Sequence, residues 1–216
     1  MMRNLLLPLS LCVFLLAGCK KDEEDSTPPA NNTPPPPAFN LTLNGSQGVQ
    51  MVVNGSLITI GESGVFLPFY QEDGVINTSP ELSTRFYGAG LYDATADANA
   101  FLMQLGTLEF DGPAVITEDF WNFFATGVRA YGPATAGLDG LELEWTDGGG
   151  VIWSTRCGPG TQSGSVFTIT EVATSEDKMG PIARIKASFN CNLYNCSTGA
   201  AMVVSSAVLV LEFRNF

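Results

Sequence analysis

Two glutamates alternate with apolar residues in Leu141-Glu142-Leu143-Glu144-Trp145. Extended backbone places residues two apart on one face, about 6.8 Å from each other. A carboxyl pair separated by about 5 to 9.5 Å is the geometry that hydrolyses a glycosidic bond. The competing expectation is a wet outer face opposite Leu141, Leu143 and Trp145. Asp93, Asp97 and Asn99 are oxygen donors that, with backbone carbonyls, suit a hard cation such as calcium. No Asp-x-Asp-x-Asp-Gly loop surrounds them, so a polar hairpin turn is the other expectation, and Asp147 followed by Gly148, Gly149 and Gly150 reads as a turn in the same way. Trp121, Trp145 and Trp153 offer flat faces of the kind that meet the C–H edges of sugar rings. Trp145 shares the inward phase of its strand and is expected in the core. Trp121 lies off the apolar stripe of its segment and is the exposed candidate for ligand binding.

The chain has no histidine. Ser-His-Asp and Cys-His mechanisms are therefore impossible within it, and the commonest zinc ligand is missing. No Gly-rich phosphate loop, Gly-x-Ser-x-Gly elbow or Cys-x-x-Cys pair occurs, and no cofactor is implied.

The elements that would position these residues read as strands. Ala183, Ile185, Ala187, Phe189, Cys191 and Leu193 alternate with Arg184, Lys186, Ser188, Asn190 and Asn192. Residues 141–145 and 151–155 flank Asp147-Gly148-Gly149-Gly150 as a hairpin. Further strands are expected at 39–43, 50–53, 57–60, 84–92, 100–105, 166–172 and 208–213. Asn44-Gly45 and Asn54-Gly55 are turns, residues 93–99 are a polar turn, and Tyr87-Gly88-Ala89-Gly90 is expected to bend. One short helix is predicted near 117–126, with Thr117 as its cap, Glu118 and Asp119 at its positive end, and Gly127 in the left-handed position after it. It would pack Phe120, Phe123 and Phe124 onto the sheet. The fold class is all-β, an antiparallel sandwich or barrel-like meander.

The N-terminus carries Arg3, an apolar run from Leu5 to Leu16, and Leu16-Ala17-Gly18-Cys19. The run is shorter than the roughly 20 residues that cross a bilayer and has a signal-peptide layout. Leu-Ala-Gly-Cys resembles the lipobox of bacterial lipoproteins, which implies cleavage before Cys19 and lipidation of its thiol. A diacylglycerol plus an amide-linked chain anchors a protein stably. Lys20-Lys21-Asp22-Glu23-Glu24-Asp25 resembles the charged tether that routes lipoproteins of Bacteroidota to the outside of the outer membrane, and Lys20 is no retention signal. Prolines 28, 29 and 34 to 37 make the rest of the tether an extended polyproline spacer. The expected organisation is signal peptide 1–18, lipidated tether 19–38 and a single β-rich domain 39–216.

Without the signal peptide the chain has 9 basic and 22 acidic residues, a net charge of −13, of which the domain carries −11. Such a domain is repelled by phosphate backbones, and nucleic acid is excluded as a partner. With Cys12 removed and Cys19 acylated, Cys157, Cys191 and Cys196 remain for one disulfide and one free thiol. If strands 151–156, 166–172, 182–194 and 203–213 form a meander, the first and third are parallel and end at one edge. Cys157 and Cys196 then both lie in loops there. Two strand spacings of about 4.8 Å exceed the Cα separation that a disulfide allows, so the loops must lean together. The expected pair is Cys157–Cys196, with Cys191 buried.

The segments Asp119-Phe120-Trp121-Asn122-Phe123-Phe124-Ala125-Thr126-Gly127, Trp145-Thr146-Asp147, Val151-Ile152-Trp153-Ser154-Thr155, Gly164-Ser165-Val166-Phe167-Thr168-Ile169-Thr170 and Ala187-Ser188-Phe189-Asn190-Cys191-Asn192-Leu193-Tyr194 together resemble a family of uncharacterised β-rich lipoproteins of Bacteroidota. The likeness runs from about Val53 to Phe216. It departs before the last strand, where the apolar residues 200–207 replace an Asn-Gly turn. The resemblance implies the fold and the envelope location and leaves activity open. The functional expectation is a non-catalytic surface lipoprotein that meets the membrane through its lipid and binds a glycan or another envelope protein. A carbohydrate-binding accessory role and a carboxylate-dependent glycoside hydrolase are the alternatives.

Overall fold

The computed structural model describes residues 38–77, 82–134 and 138–216, and of Asn99 only the backbone. The expected signal peptide, Cys19 and the expected tether to residue 37 lie outside the described residues. Asn54 and Gly55 both have positive φ, 50° and 78°, the combination a two-residue type I′ hairpin turn requires. They join β1 (Gly48–Val53) to β2 (Ser56–Gly61). Then follow β3 (Phe66–Val75), β4 (Ser83–Asp93), β5 (Ala98–Phe110), α1 (Thr117–Phe123), β6 (Gly127–Arg129), β7 (Leu141–Thr146), β8 (Ile152–Ser154), β9 (Val166–Asp177), β10 (Gly180–Asn195) and β11 (Ala201–Arg214).

All eleven strands belong to one sheet, whose main path runs β2-β1-β11-β10-β8-β7-β5-β4-β3, and every strand pairing is antiparallel. The sheet curls into a half-barrel, so the all-β expectation holds in its barrel-like form. Its concave face is the core, where Leu143, Met103, Leu91, Ile185 and Leu209 are fully or almost fully buried. Register shifts between Arg85 and Tyr87 and between Leu91 and Tyr92 interrupt β4–β5, and bulges of this kind increase strand bending. Gly90, in the stretch expected to bend, also admits a close neighbour. A Cβ there would lie 2.7 Å from the Phe69 ring and 2.1 Å from the Phe101 carbonyl oxygen.

The curl brings β3 and β4 beside β11, where side chains replace the missing ladder. Arg85 pairs with Glu72 at 3.1 Å, and Tyr70 Oη donates to Glu212 at 3.2 Å. The buried Tyr87 hydroxyl donates to Asn215 Oδ1 at 2.9 Å. Arg214 lies over the Tyr70 ring and pairs with both Glu212 and Asp177.

Helix α1 plugs this part of the core. Phe124 stacks at 4.6 Å from Phe213, and Phe120 lies edge-on to Tyr87 at 5.1 Å. Its ends differ from expectation. Ile116 occupies the N-cap position and no side chain caps the helix, so Thr117 is already its first helical residue. Gly127 opens β6 with φ 143°, after the helix has ended at Phe124. Arg129 of β6 donates to the carbonyls of Phe123 and Ala125, setting a cation against the negative helix end.

Residues 39–43 form no strand. They are a strap over the outer face of β1, held by the Asn40 N–H donating to Gln50 Oε1 at 2.9 Å and ending in a turn where Gly45 N–H bonds to the Thr42 carbonyl. This cover explains why β1 is buried on both faces.

Cys157 and Cys196 are joined, with Cα atoms 5.0 Å apart, and Cys191 is free and buried. The strands bring the two cysteines together otherwise than in the expected meander. Strand β8 is not parallel to β10 at two spacings. It runs antiparallel directly beside the end of β10, with Ser154 opposite Tyr194. Strand β9 pairs with β10 only as far as Asn190. The gap at 191–193 is filled by Gln162, whose amide donates to the Asn192 carbonyl and accepts from its N–H, at 2.7 and 3.0 Å.

Candidate functional site

Two hairpins, β4–β5 and β7–β8, and the strands β2 and β3 line an open cavity of about 740 Å³. The β4–β5 tip contributes Tyr92, Asp93 and Asp97, and the β7–β8 tip contributes Asp147 and its glycines. Ile58 and Ile60 of β2, Phe66 of β3, Trp145 and Ile152 supply apolar lining. The cavity lies six residues along β4 from Tyr87, about 20 Å from the helix plug by strand rise. A lining mainly apolar with a few convergent polar groups is what a small-ligand site requires.

The acidic residues at the mouth are held by their own turns. Asp93 Oδ1 accepts from the Thr95 hydroxyl at 2.7 Å and from the N–H groups of Thr95 and Ala96 at 2.8 and 3.1 Å. The Thr95 hydroxyl, then the backbone donors, hold the Asp93 carboxyl below its ordinary range. Asp147 accepts from the Trp153 indole N–H at 2.9 Å and from the N–H groups of Gly149 and Val151. The indole bond is the main reason its carboxyl is also lowered. Asp97 has a left-handed backbone, φ 52°, and accepts from the Tyr92 hydroxyl. Asp93 and Asp97 are thus turn-forming residues. The third proposed cation ligand, the side chain of Asn99, lies outside the described residues, which hold no cluster of three metal-ligating side chains. No lysine or arginine lines the cavity. Its charged side chains are all carboxylates, and it favours donors and cations over anions.

Trp145 sits in the cavity floor at 8% exposure, opposite Phe101 on one side and Trp153 on the other. Trp121 is not a free platform. It is part-buried against the core, and its indole N–H donates to the Ile182 carbonyl at 3.2 Å. The three tryptophans therefore make no coplanar exposed surface.

Glu142 and Glu144 do share a face, but that face is not wet. The 130–134 and 155–162 loops cover it, leaving Glu142 at 7% exposure. Glu142 Oε1 accepts the Ala134 N–H at 3.1 Å. Arg156 spans both carboxylates, 3.7 Å from Glu142 and 3.9 Å from Glu144. Burial raises the Glu144 carboxyl above its ordinary value, opposed by Arg156 and reinforced by Glu142. The cleft beside Glu142 and Arg156 holds only about 170 Å³.

The sequence links Asp93 with Asp97 as cation ligands and marks Glu144, Trp145 and Asp147 separately. The structure brings all five to one cavity and adds Ile58 and Ile152, whose only signal is apolar phase beside a turn, and Phe66, which carries no signal in the sequence. Comparison with protein families, curated proteins and solved structures finds no match to any of them.

Proposed function

We infer that the protein is a lipid-anchored, non-catalytic binding module of the outer cell surface, and that the cavity at the 93–98 and 147–150 hairpins is its ligand site. The observation that carries this reading is the pairing of an apolar floor with a rim that offers acceptors and negative charge but no cation. The acidic groups also favour binding over catalysis. Asp93 Oδ1 and Asp147 Oδ1 are held by turn donors and Asp147 Oδ2 by the Trp153 indole, leaving Asp93 Oδ2 for a ligand, and Arg156 neutralises Glu142 and Glu144. The anchor and the outward location rest on Leu16-Ala17-Gly18-Cys19 and the charged tether, and envelope proteins and glycans are the partners within reach of such a module.

The ligand class is a small neutral or cationic molecule with one apolar face and several donors. A carbohydrate is the second reading, favoured by Phe66, Tyr92 and Trp145 lying beside carboxylate acceptors. Titration calorimetry with tyramine, maltose and glucuronate tests both. Tyramine should bind and glucuronate should be the weakest of the three. Equal binding of the anion would overturn the reading, and tighter binding of maltose than of tyramine would select the carbohydrate. Protease treatment of intact cells should remove the domain, and its survival while other surface proteins are digested would refute the outward location.

A further inference from the structure

Among the described residues the curled sheet leaves free edges at β2, β3 and part of β9, and they are not alike. Strand β3 carries Pro68, Glu72 and Asp73, and the outer part of β9 carries Glu171, Glu176 and Asp177, the proline and charges with which natural edges discourage pairing. Strand β2, Ser56-Leu57-Ile58-Thr59-Ile60-Gly61, has no charge and no proline, and its register with β1 is continuous.

The hydrogen-bond phase of this edge follows from the two-residue turn. Ser56 opposite Val53 is a bonded pair, and Glu62 N–H bonds to the Gln47 carbonyl at the other end. Between them Ile58 and Ile60 turn their backbone groups toward β1, while Leu57, Thr59 and Gly61 turn theirs outward. The side chains alternate in the complementary sense. Ile58 and Ile60 face the cavity, and Leu57 is 43% exposed on the other side. One strand therefore presents an open ladder and a wall of the cavity together.

We propose that the free edge of β2 docks an extended peptide from another protein, which adds to the sheet, drops an apolar side chain into the cavity and sets a flanking lysine or arginine at the Asp93, Asp97 and Asp147 rim. The inference rests on the cavity being the binding site. Main-chain bonds at an added strand give affinity, and pockets for alternate side chains give specificity. The acidic rim and the domain charge of −11 select a basic partner over a second copy of this chain.

The test uses the lipidated chain in detergent micelles. The probe is a pool of acetylated octapeptides alternating threonine with valine, leucine, phenylalanine or tyrosine and carrying lysine at both ends, read by fluorescence anisotropy and by hydrogen exchange over residues 56–61. Binding should slow exchange there. N-methylating alternate peptide amides should weaken it about tenfold or more, as should Thr59→Pro, which removes an outward N–H and spares the β1 ladder. The N-methylated peptides repeat the measurement on unaltered protein. Glutamate-flanked peptides should bind about tenfold more weakly. Insensitivity to N-methylation, or tyramine binding without peptide binding, overturns the docking edge and leaves the cavity reading intact. Equal binding of the glutamate peptides overturns the basic partner. Loss of both peptide and tyramine binding overturns the edge and the cavity together.

Discussion

Tyr87 and Asn215 show how much of the closure between β4 and the chain's end rests on single polar atoms. The Tyr87 hydroxyl is fully buried and its pKa is raised by that burial. Its acceptor is Asn215 Oδ1, which also accepts from Arg85 at 3.3 Å, and Arg85 interacts with the hydroxyl as well. Tyr87→Phe removes a donor whose acceptor keeps another partner, a loss of about 1 kcal/mol. Asn215→Ala takes the acceptor from a buried O–H donor and should cost about 2 to 3 kcal/mol. Urea titration of the two variants checks the order, and a larger loss for Tyr87→Phe would contradict it. The second residue-scale prediction concerns Cys191, whose thiol burial pushes up to about 12. Only thiolate reacts readily, and only where reagent can reach it. Maleimide at mildly alkaline pH should leave Cys191 unmodified in the folded protein and label it fully after denaturation. Rapid labelling of the native chain would contradict the burial.

At the scale of elements, the β7–β8 hairpin is organised by Asp147 more than by its glycines. Its carboxylate accepts two backbone N–H groups and the Trp153 indole, fixing the tip that forms one rim of the cavity. Asp147→Ala should cost about 1 to 2 kcal/mol. The carboxyl is held below its ordinary value, so its contribution is fully present above the unfolded value of about 3.9. It is lost as pH falls through the lower native value. The stability gap between wild type and Asp147→Ala, measured by denaturant titration, should therefore be constant at neutral pH and narrow in acid. A gap that widened in acid would refute this account of the turn.

For the whole molecule, the Cys157–Cys196 bond closes a loop of 39 residues that includes β9 and β10. Constraint of the unfolded chain by a loop of that size contributes about 3 to 4 kcal/mol. The double variant Cys157→Ser with Cys196→Ser should lower the urea midpoint accordingly, and an unchanged midpoint would mean that the strands alone hold these loops. The proposed attachment to the membrane is a separate matter that rests on the N-terminus. Cys19→Ser should abolish incorporation of a palmitate analogue in growing cells, and label retained in the variant would refute lipidation at that residue.

What the sequence determined by itself is whatever a local period or a local turn encodes. The alternation of Ala183 to Leu193 foretold β10, Asn54-Gly55 foretold the β1–β2 hairpin, and the Phe120, Phe123 and Phe124 spacing foretold the helix face. Strand β3 escaped because Pro68 and Gly74 interrupt its pattern, and its edge position is what tolerates them. The covered faces escaped for a different reason. Alternation reports which side chains share a face but not what lies over that face. Glu142 is buried by loops beginning about ten residues away on either side, and β1 by a strap that approaches it from the chain's start. The disulfide was legible from cysteine count and loop placement, although only the sheet revealed that β8 lies against the end of β10. The cavity belongs wholly to the tertiary structure. Its lining spans positions 58 to 152 and exists only because the sheet curls, and no local window of sequence records the curvature that brings those residues together.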